Sequence, residues 1–82
     1  MYDSRYYPTK PINVGLVGTG YAAKLRAEAL LQDERANLVA VAGAENARTE
    51  AFAASYQAQA IDSWQQLVES TSIDLIIVST IN

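Results

Sequence analysis

The chain has 82 residues, half of them apolar, with nine acids against six bases, no histidine and no cysteine. That length makes one small domain, which buries only about 60% of the surface its unfolded chain exposes. Without Cys and His there are no disulfides, no thiolate chemistry and neither the commonest general base nor the commonest metal ligand, and six bases scattered at Arg5, Lys10, Lys24, Arg26, Arg35 and Arg48 form no stripe for nucleic acid.

No apolar run approaches the length of a membrane span, and the N-terminus lacks the apolar core of a signal peptide. The expectation is a soluble cytoplasmic protein with no membrane partner. Residues 1–11 are polar and tyrosine-rich, and Pro8 and Pro11 oppose regular structure, so they read as an extended arm. Tyr2, Tyr6 and Tyr7 are either contact residues or rings lying on the domain's own surface.

Ile12 to Gly18 is short, apolar and β-branched, bounded by Pro11 and glycines, which predicts a buried strand. From Tyr21 to Gln32 strong helix formers follow, with Ala22, Leu25, Ala29 and Leu30 on one stripe at helical spacing. Asp33 to Asn37 reads as a polar turn and Leu38 to Ala42 as a second buried strand. Asn46 is a candidate N-cap for a helix reaching about Gln57, with Ala47, Ala51, Ala54 and Phe52 inward. A stub of strand fits around Gln59 to Ile61, and Ser63 with Gln66 forms a capping box for a short helix that puts Trp64, Leu67 and Val68 inside. Asp74 to Thr80 closes the chain as a continuous apolar run, the pattern of a strand buried on both faces. Strand and helix alternate as β-α-β-α-β-α-β, which predicts a parallel sheet with right-handed crossovers and helices on both faces.

The segment that carries chemistry is Gly18-Thr19-Gly20-Tyr21-Ala22-Ala23, a G-x-G-x-x-A between the first strand and first helix. Gly18 permits the tight turn, Gly20 lets backbone approach a pyrophosphate, and Ala23 lets the helix pack close to the strand. The amides at the helix N-terminus then face the phosphate. A ribose-binding acid belongs about 20 residues on, near the end of the second strand. There the chain has Gly43, Ala44 and Glu45. Glu45 is either the ribose ligand or a first-turn acid favoured by the next helix's dipole. Absence of an acid at 43 relieves repulsion of a 2′-phosphate, and the nearest arginine is Arg48, so NAD and NADP both remain open. Tyr21 lies over the cofactor phosphates or packs on the arm. Lys24 and Arg26 read as solvated face residues.

The runs Ile12 to Tyr21, Ala27 to Leu30, Leu38 to Ala42 and Ile73 to Asn82 together resemble the opening part of the glucose-fructose oxidoreductase and inositol dehydrogenase family. The resemblance implies a truncated Rossmann-like three-layer α/β fold at residues 12–82, with a four-stranded parallel sheet in the order 3-2-1-4. It implies that Gly18, Thr19, Gly20, Tyr21 and Ala22 cradle the pyrophosphate of NAD or NADP. Ser79, Thr80 and Asn82 then lie beside the ribose and nicotinamide. The chain departs from the family pattern at Arg26, where a histidine is common, at Gly43, where many members have Asp, and at Ile81, where a proline usually precedes the asparagine. The family's Glu-Lys-Pro segment, with its proposed acid-base lysine, lies beyond residue 82, as does the substrate domain. No catalytic residue and no metal ligand is assigned within the chain.

In that strand order the fourth strand is left on an edge, and an apolar edge is one that proteins cover or pair. The expectation is a homo-oligomer joined through residues 74–80. Two functions therefore stand side by side: the NAD(P)-binding portion of a family oxidoreductase, and a non-enzymatic dimerising module that has lost its cofactor. A cofactor-sensing regulatory subunit is the third.

Overall fold

The computed structural model describes residues 11–79, so all of the expected arm over residues 1–11 except Pro11 lies outside the described residues. The elements are β1 (Ile12–Val17), α1 (Tyr21–Leu31), β2 (Ala36–Ala42), α2 (Asn46–Ser55), β3 (Gln59–Ile61), α3 (Trp64–Glu69) and β4 (Leu75–Val78). They form one four-stranded sheet in the order β3-β2-β1-β4, with every neighbouring pair parallel. This is the alternation that the sequence predicts and the strand order that the resemblance implies. The second strand starts earlier than the polar composition suggests, because Ala36 and Asn37 pair with Ile12 and Asn13.

β1 is hydrogen-bonded on both sides, and Val14 and Leu16 are wholly buried. The register against β2 slips between Val14 and Gly15, so that Val14 faces Leu38 but Gly15 faces Ala40. Val39 is the extra residue of a bulge. It lets Leu38 and Val41, three apart, both pack on the α1 and α2 side, whereas Val39, Ala40 and Ala42 pack on the α3 side. The result is three layers: α1 and α2 on one face, α3 on the other.

Which residues the helices bury differs from expectation. In α1 the buried residues are Ala23 and Ala27, with Leu30 packed partly against them, while Ala22 and Ala29 are exposed and Leu25 is 48% exposed. The helix lies close on the sheet, and only methyl-sized side chains fit along its line of contact. In α2 the buried residues are Thr49 and Ala53, with Phe52 partly buried, whereas Ala47, Ala51 and Ala54 face solvent. Alanine on nearly every side of a helix leaves its phase undetermined by hydropathy, and the packing of Thr49 at its N-terminal end fixes it. Asn46 is the first helical residue rather than the cap; Glu45 holds the cap position, without a side-chain capping bond. α2 stops at Ser55 because Gln57 turns to φ 58. The amides of Gln57 and Ala58 then close back on the carbonyls of Ala54 and Ala53, the pattern that usually recruits glycine.

α3 begins as predicted, with Ser63 Oγ accepting from the Gln66 N–H at 3.2 Å. Of its three expected core residues only Leu67 is buried, and Trp64 and Val68 are exposed. Six residues make less than two turns and direct one side chain at the sheet. That side chain seats over Gly15, where an added Cβ would come within 2.7 Å of Leu67 Cδ2.

β4 is an edge strand rather than one buried on both faces: Leu75 is 49% and Val78 67% exposed, and only Ile76 and Ile77 pack on the two sides of the sheet. Its start is clamped to β1. Asp74 Oδ2 accepts from the Asn13 N–H at 2.9 Å, the Asp74 N–H donates to the Asn13 carbonyl at 2.8 Å, and Asn13 Nδ2 donates to the Ser72 carbonyl at 3.0 Å.

The turn from α1 to β2 holds a two-pronged ion pair, Arg35 Nε to Asp33 Oδ1 at 3.0 Å and Nη2 to Oδ2 at 3.1 Å. The hydrogen bonds from the Arg35 side chain and backbone N–H hold the Asp33 carboxyl below its usual range. The folded value is depressed, so the stabilisation is present above the unfolded value and is lost as pH falls through the folded one. The pair is solvent-exposed, and its contribution is correspondingly small.

Candidate functional site

The site grows out of the end of β1. The Gly18 N–H donates to the Ala42 carbonyl at 2.8 Å, carrying the β1–β2 ladder one residue further. The chain then turns at Gly18 with φ 123, a conformation that favours glycine. Gly20 is the N-cap of α1 in extended conformation. The bond from the Lys24 N–H to the Gly20 carbonyl, 3.0 Å, opens the helix. The amides of Tyr21, Ala22 and Ala23 precede it and have no intrahelical acceptor. No acid occupies that first turn and no side chain caps it, so these donors are available to an anion. Ala23, fully buried, sets how closely the helix approaches the strand.

The ends of β2 and β4 converge on the same place. Past β4 the Ser79 N–H donates to the Val17 carbonyl at 2.8 Å, which holds Ser79 beside the turn. Gly18, Thr19, Gly20, Gly43, Ala44, Arg48 and Ser79 line a cavity of about 220 Å³. It lies outside the carboxyl ends of the strands, where the strand order reverses between β1 and β4, the position at which open α/β sheets bind ligands. Arg48 supplies the one charged side chain in this lining. A larger cleft of about 690 Å³ opens at the opposite ends of the strands, among residues such as Leu30, Ala36, Leu38, Tyr56 and Gln59. It has neither glycine turn nor helix N-terminus.

Of the predicted site residues, Gly18, Thr19, Gly20 and Ser79 are thus brought together. Tyr21 is 75% exposed and lines a neighbouring hollow with Thr19, Gly20, Lys24, Phe52, Ser55 and Tyr56. Ala22 is exposed and lines neither space. Glu45 is exposed at the cap of α2, outside the lining of the cavity, and its carbonyl accepts from both the Thr49 N–H at 2.9 Å and Thr49 Oγ1 at 2.8 Å. Thr80 and Asn82 lie outside the described residues.

Thr49 is the residue that sequence reasoning missed. It is 2% exposed, and a Cβ added to Gly43 would come within 2.5 Å of Thr49 Oγ1 and 2.9 Å of Thr19 Cγ2. Any side chain at the end of β2 would therefore have to displace Thr49 or Thr19. The available signal was the four-residue spacing from Glu45 to a threonine in an alanine-rich helix, which suits a hydroxyl bonding back to a carbonyl. Among the described residues no cluster of acids could hold a metal ion, and no helix is long and apolar enough to cross a membrane.

The same architecture recurs in known proteins. The chain is 44% identical to biliverdin reductase from Synechocystis sp. PCC 6803, solved with biliverdin and NADP+, with a TM-score of 0.82 over 88% of this chain and 23% of that one. A putative myo-inositol dehydrogenase from Sinorhizobium meliloti 1021 is 32% identical, with a TM-score of 0.79 over 84% of this chain and 21% of that one. The dTDP-3,4-didehydro-2,6-dideoxy-alpha-D-glucose 3-reductase of Saccharopolyspora spinosa is 31% identical over 70 residues, 84% of this chain. The chain spans only 21% of that reductase. Residues 12–82 match the oxidoreductase family with an NAD-binding Rossmann fold. With the glycine turn, the 3-2-1-4 sheet and the convergence of three strand ends in place, the chain belongs to the glucose-fructose oxidoreductase and inositol dehydrogenase family, of which it represents the N-terminal dinucleotide-binding fold.

Proposed function

We propose that these residues hold a nicotinamide dinucleotide for an oxidoreductase, with the pyrophosphate on the turn from Gly18 to Ala23 and the adenosine ribose against Gly43 and Ala44. The observation that carries the reading is the meeting of the Gly18 turn, the open amides of α1 and the end of β4 on one cavity. The cofactor, when bound, supplies hydride chemistry. The chain's part is to bind and orient it: amides and helix dipole toward the phosphates, and Ser79 at the rim where the resemblance puts the ribose and nicotinamide. The lining has no group that titrates near neutral pH, so the acid-base step of such a reaction belongs to residues other than these. The likeness to a biliverdin reductase solved with NADP+ supports the reading. Calorimetric titration of the 82-residue chain with NADH and NADPH is expected to show at least one dissociation constant below about 1 mM. Failure of both to bind in that range overturns it.

A second reading is favoured by one observation, the exposed Leu75 and Val78 on the β4 edge. Two copies joining β4 to β4 would continue the sheet, pair its edge backbone groups and set these apolar side chains beside their counterparts. On this reading the chain is a dimerising module. Sedimentation at tens of micromolar is expected to show a dimer, weakened by Val78→Lys; a monomer at that concentration overturns the pairing.

A further inference from the structure

Resting on the dinucleotide reading, we infer that the cavity selects a ribose bearing a 2′-phosphate, with Arg48 as its counter-charge, so that the preferred cofactor is NADP rather than NAD. The ordinary device for NAD is an acid at the end of β2 that accepts from the ribose hydroxyls. Here that position is Gly43, where an added side chain would have to displace Thr49 or Thr19. Glu45, two residues on, does not take its place in the lining. A ribose 2′-hydroxyl therefore finds no carboxylate, and a 2′-phosphate meets none to repel it.

What the cavity offers instead is positive. Arg48, in the first turn of α2, lines it together with Gly43 and Ala44. Among the described residues its guanidinium has no ion-pair or hydrogen-bond partner, so it is free to form the forked, charge-assisted bonds that arginine makes to phosphate. The intrahelical bonds of α2 start with the Thr49 N–H on the Glu45 carbonyl, and its first turn carries no acid. The amides ahead of Thr49 thus add to the same positive field. Gly43 and Ala44 bring no bulky side chain to the same lining.

The test is calorimetry on the full chain with NADPH and NADH, and with the fragments 2′,5′-ADP and 5′-AMP, for the parent and for Arg48→Met and Arg48→Lys. The expected result is about a tenfold or greater preference for the 2′-phosphorylated ligand in each pair, falling steeply with salt. Arg48→Met is expected to bring the NADPH to NADH ratio toward one, and Arg48→Lys to retain part of it. Equal or tighter binding of NADH by the parent overturns the inference while leaving the dinucleotide reading intact. So does an Arg48→Met chain that loses both ligands in the same proportion, which is the signature of a guanidinium stacked on the adenine. Binding of no ligand overturns the dinucleotide reading itself, and the inference with it. Unchanged circular dichroism of the exposed-site variants separates lost contacts from lost fold.

Discussion

Replacing Gly18 by alanine should cost the chain both stability and ligand. At φ 123 this residue lies in a region that L side chains rarely adopt, and forcing a side chain into such backbone costs on the order of 1–3 kcal/mol. A domain of this length has roughly 4–12 kcal/mol in total, so the urea midpoint should fall visibly. The loss of binding should go further than the loss of fold. The Gly18 N–H is held by the Ala42 carbonyl, and Gly20 two residues on opens α1. Any relaxation of the turn therefore displaces the amides proposed to meet the phosphate. Titration at a temperature where the variant is still fully folded should show dinucleotide affinity down by about tenfold or more. An unchanged affinity would remove the turn from the binding site.

Leu67→Ala is the change expected to affect stability most. Leu67 is wholly buried, is the buried residue of α3 and packs with Val17, Ala40 and Ala42. Truncating a leucine in such a position costs about 2–5 kcal/mol through lost transfer free energy and the cavity left behind. Collapse cannot close the gap easily, since its floor is the backbone of β1 at Gly15. A six-residue helix has no stability of its own, so α3 should detach from the sheet. Hydrogen exchange ought to show its amides losing protection before those of β1 and β2. Equal protection throughout α3 would mean that the helix is anchored by something other than Leu67.

The sequence made the order of elements readable because each strand is an apolar run between turn residues and each crossover is long enough for a helix. The strand order came with the resemblance. The inward faces of the helices were not readable in the same way. In α1 and α2 the buried positions are Ala23, Ala27, Thr49 and Ala53, small residues selected for close approach. A reading by hydropathy prefers Leu25, which faces solvent. The site was half legible. Gly18 and Gly20 announce themselves by spacing, whereas the β2 end looked merely deficient in an acid. Only the three-dimensional neighbourhood of Gly43, filled by Thr49 and Thr19, shows that the deficiency is built in.

That neighbourhood also constrains how the protein can change. An aspartate at 43 introduced alone would collide with a buried hydroxyl that is committed to the Glu45 carbonyl, an overpacking that costs about 1–3 kcal/mol. A smaller residue at 49 introduced alone would open a void and bring no new ligand contact. Acquiring a ribose-binding acid therefore takes two substitutions whose benefits appear only together, and each single step passes through a less stable chain. The glycine at the end of β2 is thus held in place by the packing beneath the cavity, at Thr49 and Thr19, as well as by whatever the cavity binds.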